Sequence, residues 1–129
     1  MEIEIFTLCD FAQDNAGKLT IVGTFDHIQP PVFPWIHPTC SIVGRIRFSD
    51  IESGLHNLKF LITNFKNEEI ITPIEAEIQI KNQTSENYTS YNFVININQL
   101  NFKTEGKYSI QLYIDTEWKS GLTLSLLKK

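Results

Sequence analysis

Cysteine is scarce in this chain: 129 residues carry two, Cys9 and Cys40. Two thiols do not make a disulfide framework, so the fold has to stand on its core. A chain of this length removes roughly two thirds of its surface from water on folding, which is enough without staples. Each thiol reads as a small buried apolar residue in a reducing compartment. Nothing local points to a Cys9–Cys40 bridge. Long apolar runs are missing too; none approaches the roughly 20 residues that cross a bilayer as a helix. The first residues, MEIEIFTLCD, lack a basic segment and do not read as a secretory signal. With Met1 as the natural start, the chain is expected in the cytoplasm. Positive charge is also short. Eleven Lys and Arg against fifteen Asp and Glu give a net charge of −4. That balance offers no long-range attraction to nucleic acid or to an anionic membrane. Arg45, Arg47 and Lys59 make at most a small local patch on a solvated strand face.

Chemical motifs are equally thin. There is no glycine-rich phosphate loop and no G-x-S-x-G turn. The segment DFAQDNAG lacks the alternating oxygen ligands of a calcium loop, so Asp10, Asp14 and Asp26 read as turn residues beside the first hairpin. Glu68 and Glu69 read as a solvated loop tip. His56, beside a turn, reads as a surface or strand-end residue rather than a catalytic base. The expectation is a non-enzyme with no cofactor and no metal. The sequons Asn82-Gln83-Thr84 and Asn87-Tyr88-Thr89 would matter only in a secreted protein, and there they mark a surface loop.

What is present is a period of two. Ile74, Ala76, Ile78 and Ile80 alternate with Glu75, Glu77, Gln79 and Lys81; Tyr108, Ile110, Leu112 and Ile114 alternate with Lys107, Ser109, Gln111 and Asp115. Similar runs centre on Ile3–Ile5, Leu19–Phe25, Ile42–Phe48, Leu58–Ile62, Phe93–Ile97 and Leu122–Leu126. Each is a strand with one wet and one dry face. Eight such runs must close their dry faces on one another. The fold class is therefore all-β: one domain over 1–129, a two-sheet antiparallel β-sandwich of about 7–9 strands, immunoglobulin-like or a related Greek key. Asp14-Asn15-Ala16-Gly17 reads as a hairpin loop, and Thr116 to Gly121 as the last one. Residues 96–104, NINQLNFKT, are expected to hold one short helical turn. Tyr108 follows a Glu-Gly corner, where a sandwich tyrosine hydrogen-bonds upstream backbone.

The segments CDFAQDNAGKLTIVGTFDHI, HPTCSIVGRIRF and GLHNLKFLITN resemble a bacterial family of small domains of unknown function. The residues that carry the resemblance are Cys9, Asp10, Ala12, Gly17, Lys18, Leu19, Gly23, Phe25, His37, Pro38 and Arg45. It covers roughly residues 3 to 65; the C-terminal half matches by strand rhythm only. The resemblance implies a β-sandwich and brings no activity, substrate or cofactor.

The stretch HIQPPVFPWIHPTC, residues 27–40, concentrates two histidines, four prolines, a cysteine and a tryptophan. His27, His37 and Cys40 are metal-ligand types beside Asp26, yet their spacing fits no loop-clamped site, and the prolines hold His27 and His37 apart. A rigid loop bearing Phe33 and Trp35 would suit a sugar or protein partner. The favoured reading is a sheet-to-sheet crossover from near Ile28 to near Cys40. In it Val32, Phe33, Trp35 and Ile36 plug the open end of the core, and His37 caps a strand end. The readings overlap, because one aromatic can plug while its neighbour is exposed. The function expected is a non-catalytic protein-interaction or assembly module, self-association included. Its contact surfaces would be the sheet edges and this loop, with Phe33, Trp35, His37 and Trp118 as contact residues. The alternatives are a carbohydrate-binding module stacking sugars on Trp35, Trp118 and Tyr88 or Tyr91, and a hydrolase sited at the 27–40 loop.

Overall fold

The computed structural model describes residues 1–81 and 87–129; the first predicted sequon lies outside the described residues. Alternation becomes nine strands: β1 Glu2–Asn15, β2 Lys18–Thr24, β3 His27–Ile28, β4 Trp35–Ser49, β5 Gly54–Thr63, β6 Ile74–Ile80, β7 Tyr88–Phe102, β8 Gly106–Ile114 and β9 Glu117–Leu126. They form two sheets, ordered β2-β1-β4-β7 and β3-β9-β8-β5-β6. Pairing is antiparallel except between β3 and β9. The fold is the predicted all-β sandwich, and the core lies between the sheets. No helix among the described residues is long and apolar enough to cross a membrane.

The inward rows meet in one cluster that includes Ile42, Ile46 and Phe48 from β4 and Leu58, Phe60 and Ile62 from β5, closed by Ile110, Leu112 and Leu124. At its centre the rings of Phe60 and Phe93 are 5.1 Å apart, with Phe6 6.4 Å from both. Gly44 lies opposite Phe6 on one side and Phe93 on the other. Its missing side chain is what leaves room for the Phe93 ring. The Tyr108 hydroxyl donates to the carbonyl of Thr104 at 2.7 Å, the predicted corner contact.

A second apolar cluster lies on the outer face of the first sheet. Cys9, Ala12 and Val43 are buried there against Leu19, Ile21 and Val94. The β1–β2 hairpin therefore folds over that face, and Asn92 Nδ2 donates to the Gly17 carbonyl at its tip. The tip is the two-residue loop Ala16–Gly17, with φ of 50° and 84°. Such left-handed pairs match the twist of the flanking strands. Cys40 belongs to the main core and Cys9 to the outer cluster, so the two free thiols point to opposite faces of one sheet. Burial raises both thiols, that of Cys40 to about 11.

Three expectations are corrected. Residues 96–104 hold no helical turn. Strand β7 continues through Phe102, because its register with β4 runs from Tyr88 to Phe102, interrupted only at Gln99. Within it Gln99 takes a left-handed φ of 56°. The strand changes faces there: Phe93 and Ile97 are buried before it, Leu100 and Phe102 after it. Next, β4 begins at Trp35 rather than near Cys40, and the last hairpin turns at Asp115–Thr116, so Trp118 is a strand residue. The ninth strand, β3, has only two residues, too short to leave an alternation, and the total stays within the expected 7–9.

Candidate functional site

The proline-rich stretch straps one end of the sandwich. After β2 the chain leaves the first sheet and runs parallel to β9 at the edge of the second. The amides of Ser125, Leu127 and Lys129 donate to the carbonyls of Asp26, Ile28 and Pro30 at 2.9, 3.2 and 2.9 Å. It then returns to the first sheet as β4. The prolines at 30, 31, 34 and 38 suit this path, since each fixes φ and has no amide to leave unpaired. The Phe33–Pro34 peptide is cis.

The strap is the predicted crossover, with one change. Phe33 and Trp35 pack against the core as expected, but Val32 and Ile36 are each 56% exposed. The face switch explains Ile36. Opposite Gln99, at Pro38, β4 also reverses: Trp35 and His37 turn inward against Phe102 and Leu100, and Ile36 turns out. His37 is half-buried with its ring 5.7 Å from that of Phe25. Burial pulls its pKa below the ordinary 6.5, against the pull of Asp10, so the ring is neutral at neutral pH. His37 Nδ1 and Trp35 Nε1 are buried and have no hydrogen-bond partner among the described residues. Among the described residues no three of His, Cys, Asp and Glu converge as metal ligands.

Trp118 is not part of this end. It opens β9, while the strap joins β9 at Ser125 and Leu126. Ser125 lies seven residue steps along the strand from Trp118, about 23 Å. Trp118 is 57% exposed opposite Tyr113, with its Nε1 donating to Gln111 Oε1. The four predicted contact residues thus fall on two surfaces. Tyr88 carries Arg47 over its ring at 3.7 Å, which occupies one stacking face.

Two features escape the sequence pattern. The first is His56, whose side chain is only 12% exposed. Its Nδ1 lies 2.6 Å from Asp115 Oδ2 and its Nε2 2.6 Å from the Glu52 carbonyl, while the ring stacks on Phe48 at 4.8 Å. Both nitrogens face acceptors, which only the protonated ring satisfies. Burial opposes the charge, but the Glu52 carbonyl and Asp115 outweigh it and raise the pKa above 6.5. Asp115 is lowered despite its own burial, by the Asn57 amide and His56. Stabilisation from a raised histidine is complete below 6.5 and is lost as pH climbs through the folded-state value; that from a lowered carboxylate is lost on acidification. We therefore expect the urea midpoint to fall between about pH 6 and pH 9, and the fall to shrink in His56→Gln. An identical pH profile for the two proteins would refute the assignment.

The second is the free edge of β7. The strand runs fifteen residues, pairs among the described residues with β4 on one side only, and contains no charged residue and no proline. The other edges are short or charged. β3 has two residues, β2 carries Lys18, and β6 carries Glu75 and Glu77. Natural sheets blunt their edges with those devices, which β7 lacks. Only topology identifies an edge strand, and the alternation of β7 looks like that of any other strand here.

The chain belongs to a family of unknown function, DUF6941, whose model matches residues 4–127. The match extends the likeness seen in the N-terminal half through the C-terminal strands. A comparison with curated proteins finds no match.

Proposed function

We propose that this family member is a non-catalytic protein-interaction or assembly module that works by strand pairing. The observation that supports this reading is the long, uncharged, one-sided edge of β7. Such an edge offers backbone donors and acceptors to an added strand, and main-chain bonds then supply affinity. The Tyr108 corner supports an immunoglobulin-like assignment of the sandwich. Two buried free thiols support a reducing, cytoplasmic setting. The net charge of −4 supports partners other than nucleic acid or anionic membranes.

The test is affinity capture from the native host, with an untagged copy of the chain co-expressed. The comparison is Ser90→Lys/Asn98→Lys, two exposed positions on the edge strand. We expect at least one protein, this chain included, to be held by the wild type and reduced on the order of tenfold with the folded variant, as charge on an edge blocks pairing. Identical capture profiles would overturn the reading.

A carbohydrate-binding module is the second reading, favoured by the exposed Trp118 beside Tyr113 on the outer face of the second sheet. Stacking a sugar there would change the tryptophan emission. Emission that stays constant across a glycan panel, in wild type and Trp118→Phe alike, removes this reading.

A further inference from the structure

We infer that the strand partner of β7 is β7 of a second copy, paired antiparallel about Ile95 to join two four-stranded sheets into one of eight. The inference rests on the strand-pairing reading above and names its partner. Three observations converge on it. First, β7 spans residues 88 to 102, so full antiparallel overlap with its own copy places Ile95 opposite Ile95. Second, that register keeps the faces matched over the central residues 92–98. Phe93 meets Ile97 of the other copy on the core side, and Asn92 meets Asn98 and Val94 meets Asn96 on the outer side. An odd offset would set core residues against outer ones. The match ends at the face switch, since Gln99 falls opposite Tyr91 of the other copy and beyond it Leu100 would meet Ser90 and Phe102 would meet Tyr88, so regular pairing is confined to residues 92–98. Third, no charge lies anywhere on β7, so self-pairing brings no like charges together. The β6 edge fails this condition, since self-pairing centred on Glu77 would set that glutamate against its copy, while β2 is only half as long and carries Lys18. Ile95 is the mid-strand member of the inward row that is only partly buried, and the same residue of the copy would pack beside it. A two-fold axis normal to the sheet leaves both second sheets on the same side, so the pairing closes at two copies.

The experiment is sedimentation equilibrium on the full chain and on two charge variants, Ile95→Lys and Ile95→Glu, with circular dichroism to establish that each folds. The wild type should sediment as a dimer. Each variant alone should be monomeric, because equal charges then face each other across the axis. An equimolar mixture of the two should recover the dimer. A wild-type monomer at every concentration tested overturns the inference. So does a dimer that survives in both variants, which would put self-association on another surface. If the charge variants fail to fold, Ile95→Cys replaces them. Mild oxidation should cross-link it into a covalent dimer, and a chain that stays monomeric while Cys9 and Cys40 remain reduced overturns the inference. Host capture separates this failure from that of the broader reading: a foreign protein lost with Ser90→Lys/Asn98→Lys keeps strand addition but excludes self-pairing.

Discussion

Phe60→Ala will lower the free energy of unfolding by about 3–5 kcal/mol, the range for removing a fully buried aromatic ring. Phe60 is 1% exposed and stands on β5, facing Phe6 of β1 and Phe93 of β7. It is therefore the ring through which the second sheet grips both an inner and an edge strand of the first. Truncation removes the transfer energy of the ring and leaves a void that two tilted neighbours cannot fill without leaving their own partners. Urea unfolding should show the midpoint falling by about 2 M with little change in slope. Phe60→Leu, which keeps most of the volume, should recover more than half of the loss. A midpoint shift below about 0.5 M for the alanine variant would mean that the trio is not the keystone described.

Gly44→Ala is the complementary case, a core damaged by adding one carbon. A Cβ there would collide with the Ile5 carbonyl oxygen and with the ring of Phe93. Overpacking of this kind costs about 1–3 kcal/mol, and the upper end applies because one obstacle is backbone and cannot rotate away. Phe93→Leu in the same chain would relieve the ring but not the carbonyl, so the double variant should regain only part of the stability. Gly44→Ala with Phe60→Ala should cost less than the sum of the two, since the void left at 60 gives the Phe93 ring somewhere to go. Strict additivity in that cycle, or a neutral Gly44→Ala, would sink the account. Because Phe93 belongs to the edge strand, both variants should also speed amide exchange along β7.

Strand existence was legible because the period of two reports burial directly. Ile74 to Ile80 and Tyr108 to Ile114 became β6 and β8 with the predicted faces inward. The Asp14 to Gly17 turn was legible from its chemistry, and the Asp14 carboxylate does accept the Gly17 amide at 3.0 Å. The strand around Gln99 was not. Its alternation breaks for a reason that lies in another part of the chain, the simultaneous reversal of β4 at Pro38. The outer cluster around Cys9 was hidden likewise, because Val43 and Val94 read as wet-face residues until a hairpin is known to cover them. His56 looked like a strand-end residue because its partner Asp115 lies fifty-nine positions away. The candidate contacts suffered most. Phe33, Trp35 and His37 do share one end, but Trp118 joined them only in composition.

The strap at His27–Ile28 has a consequence for how the molecule is made. Its two-residue strand pairs only with Ser125 and Leu126, near the other end of the chain. Closing a span of about 100 residues is entropically slow, and contacts of this reach put all-β chains among the millisecond-to-second folders. On the ribosome the β1–β2 hairpin and β4 can associate early, but the crossover between them has nothing to dock on until β9 has emerged. Through most of synthesis the strap is open to other strands, because β8 and β9 are the last strands to be made. Where this domain meets a chaperone, the segment between Asp26 and Pro30 is where a nascent chain would be held.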